Sequence, residues 1–329
     1  VQEAAKPHLI ATQSKQLGTG HAVLQAAAHL SDFEGDILIL FGGDPLITPE
    51  TMSQVIERRR EKDNPAVVVL GFRPKDPSVY GRLILNDQGQ LTEVVEARDA
   101  TQDQLSVGFC NSGVMAVDHL NFFDLLKRIN NNNQKGEYYL TDIIALYRKN
   151  GFECIAIEAT DPETLIGVDT RADLARAESV AQDRLRNIAM ADGATLVAPE
   201  TVFLSFDTIF GRDVIIEPNV VFGPGVKVGN NVTIRSFCHL EGTSVADGAT
   251  IGPFARLRPG SQISENVNIG NFVEIKNSTI EPHVRINHLS YLGDARVGAN
   301  SNVGAGTITC NYDGFNKHHT NIGVGAFIG

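Results

Sequence analysis

No stretch of this 329-residue sequence approaches the ~20 consecutive apolar residues that cross a bilayer as a helix, so no membrane span is expected. Basic residues are in deficit. The 28 Lys and Arg stand against 39 Asp and Glu, a net charge of −11. That balance argues against nucleic acid as a partner, because such binding depends on neutralising phosphates. Cysteine is scarce: Cys110, Cys154, Cys238 and Cys310 are far apart and show no CxxC spacing. A small disulfide-stapled scaffold is excluded, and free thiols in a reducing cytoplasm are expected. What is present, 42% hydrophobic and 20% charged residues, describes a globular chain long enough for two domains with separate cores. The charge is uneven. From Gly211 onward nine Lys/Arg balance nine Asp/Glu, so the whole acidic excess lies in the first 210 residues. The sequence opens at Val1 and stops at Gly329 inside a repeat, and is read as apparently truncated at both ends.

The second half is periodic. Val214, Val220, Val226, Val232 and Cys238 fall six apart. A new phase then carries Val245, Ile251, Leu257, Ile263, Ile269 and Ile275, followed by Ile280, Ile286, Val297, Val303, Ile322 and Ile328. Gly, Asn, Asp and Pro fill the intervals, as in Gly223-Pro224-Gly225 and Gly229-Asn230-Asn231. A short strand cannot bury an apolar face alone, but stacked coils align one aliphatic from each strand in a column. Gly and Asn supply the positive φ that tight corners need. Helix-length segments are missing after about Gly211, so a parallel β-helix is expected. The hexads resemble the left-handed β-helix of hexapeptide-repeat acyltransferases, and the handedness rests on that resemblance.

Three interruptions carry residues that a bare prism does not need: Arg256-Leu257-Arg258-Pro259-Gly260, Asn287-His288-Leu289-Ser290-Tyr291-Leu292-Gly293-Asp294, and Gly304 to Gly314 followed by a loop with Lys317. Together they resemble the acetyltransferase half of the bacterial bifunctional N-acetylglucosamine-1-phosphate uridylyltransferase/glucosamine-1-phosphate N-acetyltransferase family. The resemblance covers essentially the whole chain and is close through residues 251–323. It implies that His288 is the general base; an imidazole that titrates near neutrality can take a proton from a sugar amine attacking a thioester. It further implies that Arg258, Lys276 and Lys317 hold the sugar phosphate, with Tyr291 and Asn302 on the sugar. By the same resemblance, the backbone N–H of Ala305 is expected to contact acetyl-CoA, as a candidate oxyanion donor, and Asn311 and Tyr312 to line the cofactor groove. Cys310 is read as a packing residue.

In the first half, Asp36 to Phe41 reads as a buried strand leading into Gly42-Gly43-Asp44-Pro45-Leu46, and residues 66–72 as a second strand. Helices are expected from Pro49 to Arg60 and from Tyr138 to Asn150. Alternating strands and helices suggest a mostly parallel, Rossmann-like α/β sheet. Gln16 to Ala22 is a glycine-bracketed turn into a helix. With Tyr80-Gly81-Arg82, Val94-Val95-Glu96, Asn111-Ser112-Gly113 and Gly136 to Asp142, it resembles the sugar-nucleotide uridylyltransferase half of the same family. That implies uracil contacts at Gln13, Gly18 and Thr19, and N-acetylglucosamine contacts at Gly81, Glu96 and Asn111. The family's Mg²⁺ ligands fall at Gly43 and Asp169. The first departs from the family's Asp, which here comes one residue later as Asp44, so Asp44 and Asp169 are the candidate metal pair. Asp169, in Gly167-Val168-Asp169, stands where the family has Asn.

The implied organisation is an incomplete uridylyltransferase domain over 1–170, a connecting helix over 171–190 with an apolar stripe of Leu174, Ala177, Val180, Ala181, Leu185 and Ile188, and a β-helix acetyltransferase domain over 191–329. The resemblance places the family's triphosphate loop upstream of Val1 and its last coils beyond Gly329, so uridylyl transfer is not expected of the chain as given. The implied partners are glucosamine-1-phosphate, acetyl-CoA, UTP and UDP-N-acetylglucosamine, with Mg²⁺ as cofactor and a homotrimer as the assembly. Two other readings stand beside this one. The chain is a different sugar-phosphate nucleotidyltransferase with a non-catalytic hexapeptide tail, or a catalytically dead sugar-nucleotide binding protein.

Overall fold

The structure is a computed structural model describing residues 2–329. The chain divides into two compact units, Val1–Ala177 and Glu178–Gly329. The first contains α1 (Thr19–Leu24), β1 (Asp36–Ile39), α2 (Pro49–Arg59), β2 (Val67–Phe72), β3 (Arg82–Leu85), β4 (Leu91–Val95), α3 (Gln102–Leu105), β5 (Cys110–Asp118), α4 (Phe122–Leu126), α5 (Ile143–Lys149) and β6 (Cys154–Glu158). All six residues of β2 are buried, and successive side chains enter opposite cores. Val67 and Val69 pack with Met115, Ile143, Ile144 and Tyr147, while Val68, Leu70 and Phe72 pack with Val55, Val114 and Leu165. A strand covered on both faces reads as a continuous apolar run, which is why β2 is legible in the sequence. Gly71 is required there, because a Cβ would strike the Phe109 ring and Leu83.

The sheet order is β4-β3-β5-β2-β6, with β1 on β5. The sheet is mixed rather than mostly parallel: among the described residues only β2 and β6 pair in parallel, and β5 runs antiparallel to β1, β2 and β3. A hairpin, β3–β4, closed by Asn86 at its turn, supplies the remaining antiparallel ladder. Two element ends also differ from expectation. The strand expected over 36–41 stops at Ile39, leaving Leu40 and Phe41 exposed. The helix expected from Tyr138 starts as a 3₁₀ turn at Leu140–Asp142 and becomes α-helical only at Ile143. Tyr138 is pulled out of it, accepting from Gly20 N–H at 2.8 Å and donating to Leu17 O at 2.8 Å.

The helix α6 (Arg171–Ala191) passes from the first unit into the second. Its expected apolar stripe is only partly used: Leu174 and Ile188 are exposed, and Gln182 and Arg186 are buried instead. Gln182 exchanges two hydrogen bonds with the Leu204 backbone (2.8 and 2.9 Å), and Arg186 donates to Val202 O (3.1 Å). These polar side chains satisfy backbone groups of the first coil that no preceding coil reaches.

The second unit is a parallel β-helix with three faces. Ladders of two-residue strands repeat every 17 or 18 residues, as in Thr195↔Ile215↔Thr233↔Thr250↔Asn268↔Arg285↔Asn302 with its one wider first step. The apparent phase change in the sequence has a simple origin. Val214, Val220, Val226, Val232 and Cys238 form one buried series, one residue per face in turn, and Ile216, Phe222, Val228, Ile234 and Leu240 form a second, two residues on. Val245, Ile251 and Leu257 continue the second series. The first continues as small residues, Thr243, Ala249, Ala255 and Ser261, which hide the period from a reading based on large aliphatics. Corners hold the expected Asn and Asp at positive φ, but Phe237, Phe254 and Phe272 also adopt it. That conformation costs a bulky residue ~1–2 kcal/mol. The rings stack on one another (centroids 4.8 and 5.2 Å apart), which offsets the strain. After Ala295–Val297 the next coil takes 25 residues, the added length being the loop that carries Lys317.

Candidate functional site

In the β-helix, strands Asn268–Lys276 and Arg285–Gly293 are each nine residues long and bend round a corner, so they pair along two faces. Their register puts Asn271 beside His288, Glu274 beside Tyr291 and Lys276 beside Gly293. His288 therefore stands at one edge of a face, Tyr291 in its middle and the Lys276 backbone at the other edge. Four residues, the first of them the corner residue Leu289, lie between His288 and Gly293. His288 Nδ1 lies 3.0 Å from Asn271 Oδ1. Ala305 sits one coil beyond His288, because Asn302 pairs with Arg285 and Gly306 N–H donates to Leu289 O (3.0 Å). Asn302 itself lies on the adjoining face, half-buried beside Arg285.

The far edge gathers the cations. Arg258 follows Leu257, which pairs with Ile275, so Arg258 and Lys276 occupy the same corner on successive coils. Arg258 Nη1 bonds Glu274 Oε1 at 2.8 Å. Lys317 approaches Lys276 closely enough to hold the Lys276 ammonium below its ordinary value, with Arg258 adding to the effect. Three cations thus converge on one corner, as a phosphate site requires. Lys317 is presented by a tight loop: Tyr312 bridges to Lys317, and Asp313 accepts from His318 Nε2 at 2.7 Å. That bond, with the Asn316 and Phe315 N–H groups, draws the Asp313 carboxyl down to about 2.

Asp294 secures this loop. It accepts from Asn277 Nδ2 and Asn311 Nδ2, both at 2.6 Å, and these bonds, with Lys276 and Lys317 nearby, keep its carboxyl below the usual range. Asn311, expected in the cofactor groove, is buried with its amide committed to Asp294, whereas the Tyr312 ring is exposed. Gly293 leaves room for the Tyr291 phenol, which a Cβ would strike. Cys310 is exposed rather than packed; Cys110, Cys154 and Cys238 are buried, and all four are free thiols. Asn271, Glu274 and Asp294 were missed as site residues. Asp294 was visible as the last letter of its motif, but the other two matter only through cross-coil register.

In the first unit, segment 138–142 ties two groups of residues together. Thr19 Oγ1 accepts from Leu140 N–H (3.0 Å), and Gln13 Nε2 donates to Gly18 O (3.1 Å) and contacts His21 Nδ1 (2.8 Å). Gly18 has φ +111°, and a Cβ there would sit 2.6 Å from Tyr138 O. On the other side, Thr141 donates to Glu96 Oε1 (3.1 Å), and Asn111 N–H donates to Gly81 O (2.8 Å). A Cβ on Gly81 would approach Glu96 and Asn111 to 3.7 Å, so these three line one small space. Burial raises the Glu96 carboxyl, and burial with Glu96 and Asp99 nearby pushes Asp142 up to about 6.

Asp44 and Asp169 are brought together. Val168 N–H donates to Gly43 O (2.8 Å), which docks the Gly167–Asp169 loop against the β1 loop. Burial and the Asp169 charge push Asp44 up to about 6, and its Oδ2 is buried without a hydrogen-bond partner. Two close carboxylates, one with an orphaned oxygen, form a hard-oxygen donor set that suits Mg²⁺. Among the described residues no third His, Cys, Asp or Glu joins them. An ion that keeps several waters and binds substrate phosphate needs no more. No helix among the described residues is long and apolar enough to cross a membrane.

Comparison with known proteins matches residues 2–158 to the nucleotidyl transferase family and residues 207–242 to the bacterial transferase hexapeptide family (six repeats). Proteins named bifunctional protein GlmU are similar over nearly the whole chain. That of Paramagnetospirillum magneticum is 56% identical over 329 residues, 100% of this chain and 73% of its own. That of Rhodospirillum rubrum is 57% identical over the same span, and that of Zymomonas mobilis 52% identical over 97% of this chain and 70% of its own. Identity at this level through both units leaves no place for an unrelated nucleotidyltransferase with an inert tail. The chain belongs to the bifunctional GlmU family, enzymes that join acetyl transfer and uridylyl transfer in UDP-N-acetylglucosamine biosynthesis.

Proposed function

We propose that residues 191–329 transfer acetyl from acetyl-CoA to the amine of glucosamine-1-phosphate, with His288 as general base. The observation that carries this is the single β-helix face with His288 at one edge, Tyr291 in the middle and Arg258, Lys276 and Lys317 at the other. A sugar phosphate bridges such a face, with its anion at the cationic corner and its amine toward the imidazole. His288 takes the amine proton as the nitrogen attacks the thioester carbon, and the thiol of CoA leaves. The N–H of Ala305, one coil beyond, supports charge on the thioester oxygen. Tyr291 and Asn302 orient the sugar, and Tyr312 offers an exposed ring to the cofactor.

Residues 1–170 bind the sugar nucleotide: Gln13, Gly18 and Thr19 on the uracil side, and Gly81, Glu96 and Asn111 on the N-acetylglucosamine side. Asp44 and Asp169 hold Mg²⁺, which supplies charge neutralisation at the phosphates being exchanged. The residue-for-residue shift from Gly43 to Asp44 keeps a carboxylate opposite Asp169. The protein acts in the cytoplasm on small molecules, as a homotrimer. Thiol release from acetyl-CoA, dependent on glucosamine-1-phosphate, tests the first assignment. Release by the wild type that is lost in His288→Ala is the expected result, and release that survives the substitution overturns it.

A further inference from the structure

We propose that Asn271 is the residue that makes His288 a base, by fixing its tautomer from the preceding coil without adding charge. The inference rests on His288 being the base. With the amide oxygen of Asn271 toward the ring, the 3.0 Å contact between Asn271 Oδ1 and His288 Nδ1 pairs an acceptor with a proton on Nδ1, the tautomer the proposal assigns. Nε2 is then the unprotonated nitrogen, with its lone pair turned away from the partner strand. The opposite tautomer would carry a proton on the nitrogen that must receive one, and such an error in other histidine-dependent enzymes is costly.

The pairing is built into the fold. Asn271 and His288 are direct partners on strands Asn268–Lys276 and Arg285–Gly293. The next residues, Phe272 and Leu289, both turn the same corner at positive φ (56° and 43°). Side chains immediately before stacked corners are held in line by the backbone on both coils. Gly270 maintains the close approach, since a Cβ there would lie 2.6 Å from the Asn287 carbonyl carbon.

The neutrality of the partner matters as much as its geometry. Histidine bases are commonly steadied by a carboxylate, which also favours the imidazolium. Among the described residues, His288 forms no ion pair with a carboxylate. The charged groups on its own and the preceding strand are Arg285, Lys276 and Glu274, the last committed to Arg258. The following coil brings Gly304, Ala305 and Gly306, without charge. An amide in place of an acid therefore orients the ring while leaving it free to be neutral when the sugar amine arrives.

The test is the pH dependence of acetyl transfer in the full chain for wild type, Asn271→Ala, Asn271→Asp and His288→Ala, with kcat and KM for glucosamine-1-phosphate measured separately. Asn271→Ala is expected to lower kcat about 10- to 100-fold with KM changed less than about twofold. Asn271→Asp, which keeps an acceptor, is expected to recover most of kcat at alkaline pH while its acidic limb moves up by about one unit, as a carboxylate at that distance favours imidazolium. In protein labelled with ¹⁵N-histidine, the His288 signal, identified by its loss in His288→Ala, should report the Nδ1–H tautomer in the wild type and a mixture in Asn271→Ala. Wild-type kcat in Asn271→Ala, an unmoved acidic limb in Asn271→Asp, or an unchanged tautomer overturns the proposal. Full activity in His288→Ala is a different outcome, because it removes the base itself and with it the group that Asn271 would position.

Discussion

At the scale of single residues, glycines show how the same substitution can strike function in one place and folding in another. Gly293→Ala would set a Cβ against the Tyr291 phenol and 2.7 Å from Asn311 Nδ2, both the ends of side chains. The ring can swing away, so we expect a change in melting temperature of only a few degrees and a raised KM for glucosamine-1-phosphate, measured on one preparation by thermal unfolding and steady-state kinetics. Gly270→Ala meets backbone instead, with the carbonyl of Asn287 in the way and the Asn287 Cα at 2.8 Å. That strain cannot be relieved by a rotamer, so this variant should lose at least ~1–3 kcal/mol of β-helix stability in urea. Titration offers a third test. Asp142 is pushed up to about 6 by burial and then by Glu96 and Asp99, whereas the same carboxyl titrates near 3.8 in the unfolded chain. Between those values the folded protein holds a proton that the unfolded chain has released, so stability falls as pH rises through that window. Asp142 makes no side-chain cap bond to α5, so Asp142→Asn removes the charge without breaking a cap. Its melting temperature should exceed the wild type's at pH 7.5 and equal it at pH 3; equal gains at both would refute the charge explanation. Such effects depend on what lies across a coil or sheet. That is why His288 could be read from its motif and Asn271, Glu274 and the setting of Asp142 could not.

Periodicity makes elements legible when a single stretch of chain writes it, and pairing makes them illegible when two distant stretches share it. The β-helix belongs to the first kind: each coil repeats the same apolar positions, so the architecture is legible from residues alone. One of the two six-residue series is hidden after Cys238 only because Thr243, Ala249, Ala255 and Ser261 are small or polar while remaining buried. Strand direction in the first unit belongs to the second kind. Nothing local says that β5 inserts between β2 and β3 and runs against both. The stripe of α6 failed for a related reason, since Gln182 and Arg186 are buried to satisfy the Leu204 and Val202 backbones, a demand set by the fold's open end. Column geometry also yields a stability prediction. Ile251 is fully buried between Ile234 and Ile269 in the ladder. Ile251→Ala should cost about 2–5 kcal/mol by denaturant unfolding, because rigid coils above and below limit collapse into the cavity. A loss under 1 kcal/mol would mean that neighbouring coils relax toward each other more freely than their hydrogen-bonded ladders suggest.

For the molecule as a whole, the consequence lies in how its cores are divided. The hydrophobic cluster of the β-helix runs from Ala189 to Val303, while the two clusters flanking the sheet lie between Ile39 and Leu165 and share no residue with it. Packing is how a substitution is felt at a distance, and effects add when no partner is shared. The two chemistries should therefore be separable by single changes. His288→Ala should abolish acetyl transfer and leave UDP-N-acetylglucosamine binding unchanged. Asp44→Asn should leave acetyl transfer unchanged and abolish the Mg²⁺-dependent rise in melting temperature, since it removes a charge from the carboxylate pair. The double variant should combine the two losses without further effect. Calorimetric titration with UDP-N-acetylglucosamine, thermal scans with and without Mg²⁺, and the thiol-release assay on all four proteins measure these outcomes. A change in sugar-nucleotide affinity beyond about twofold in His288→Ala would show that the units communicate through something other than a shared core. The corresponding check on the assembly is mass: sedimentation at three times the 35.6 kDa of the chain is expected for the trimer.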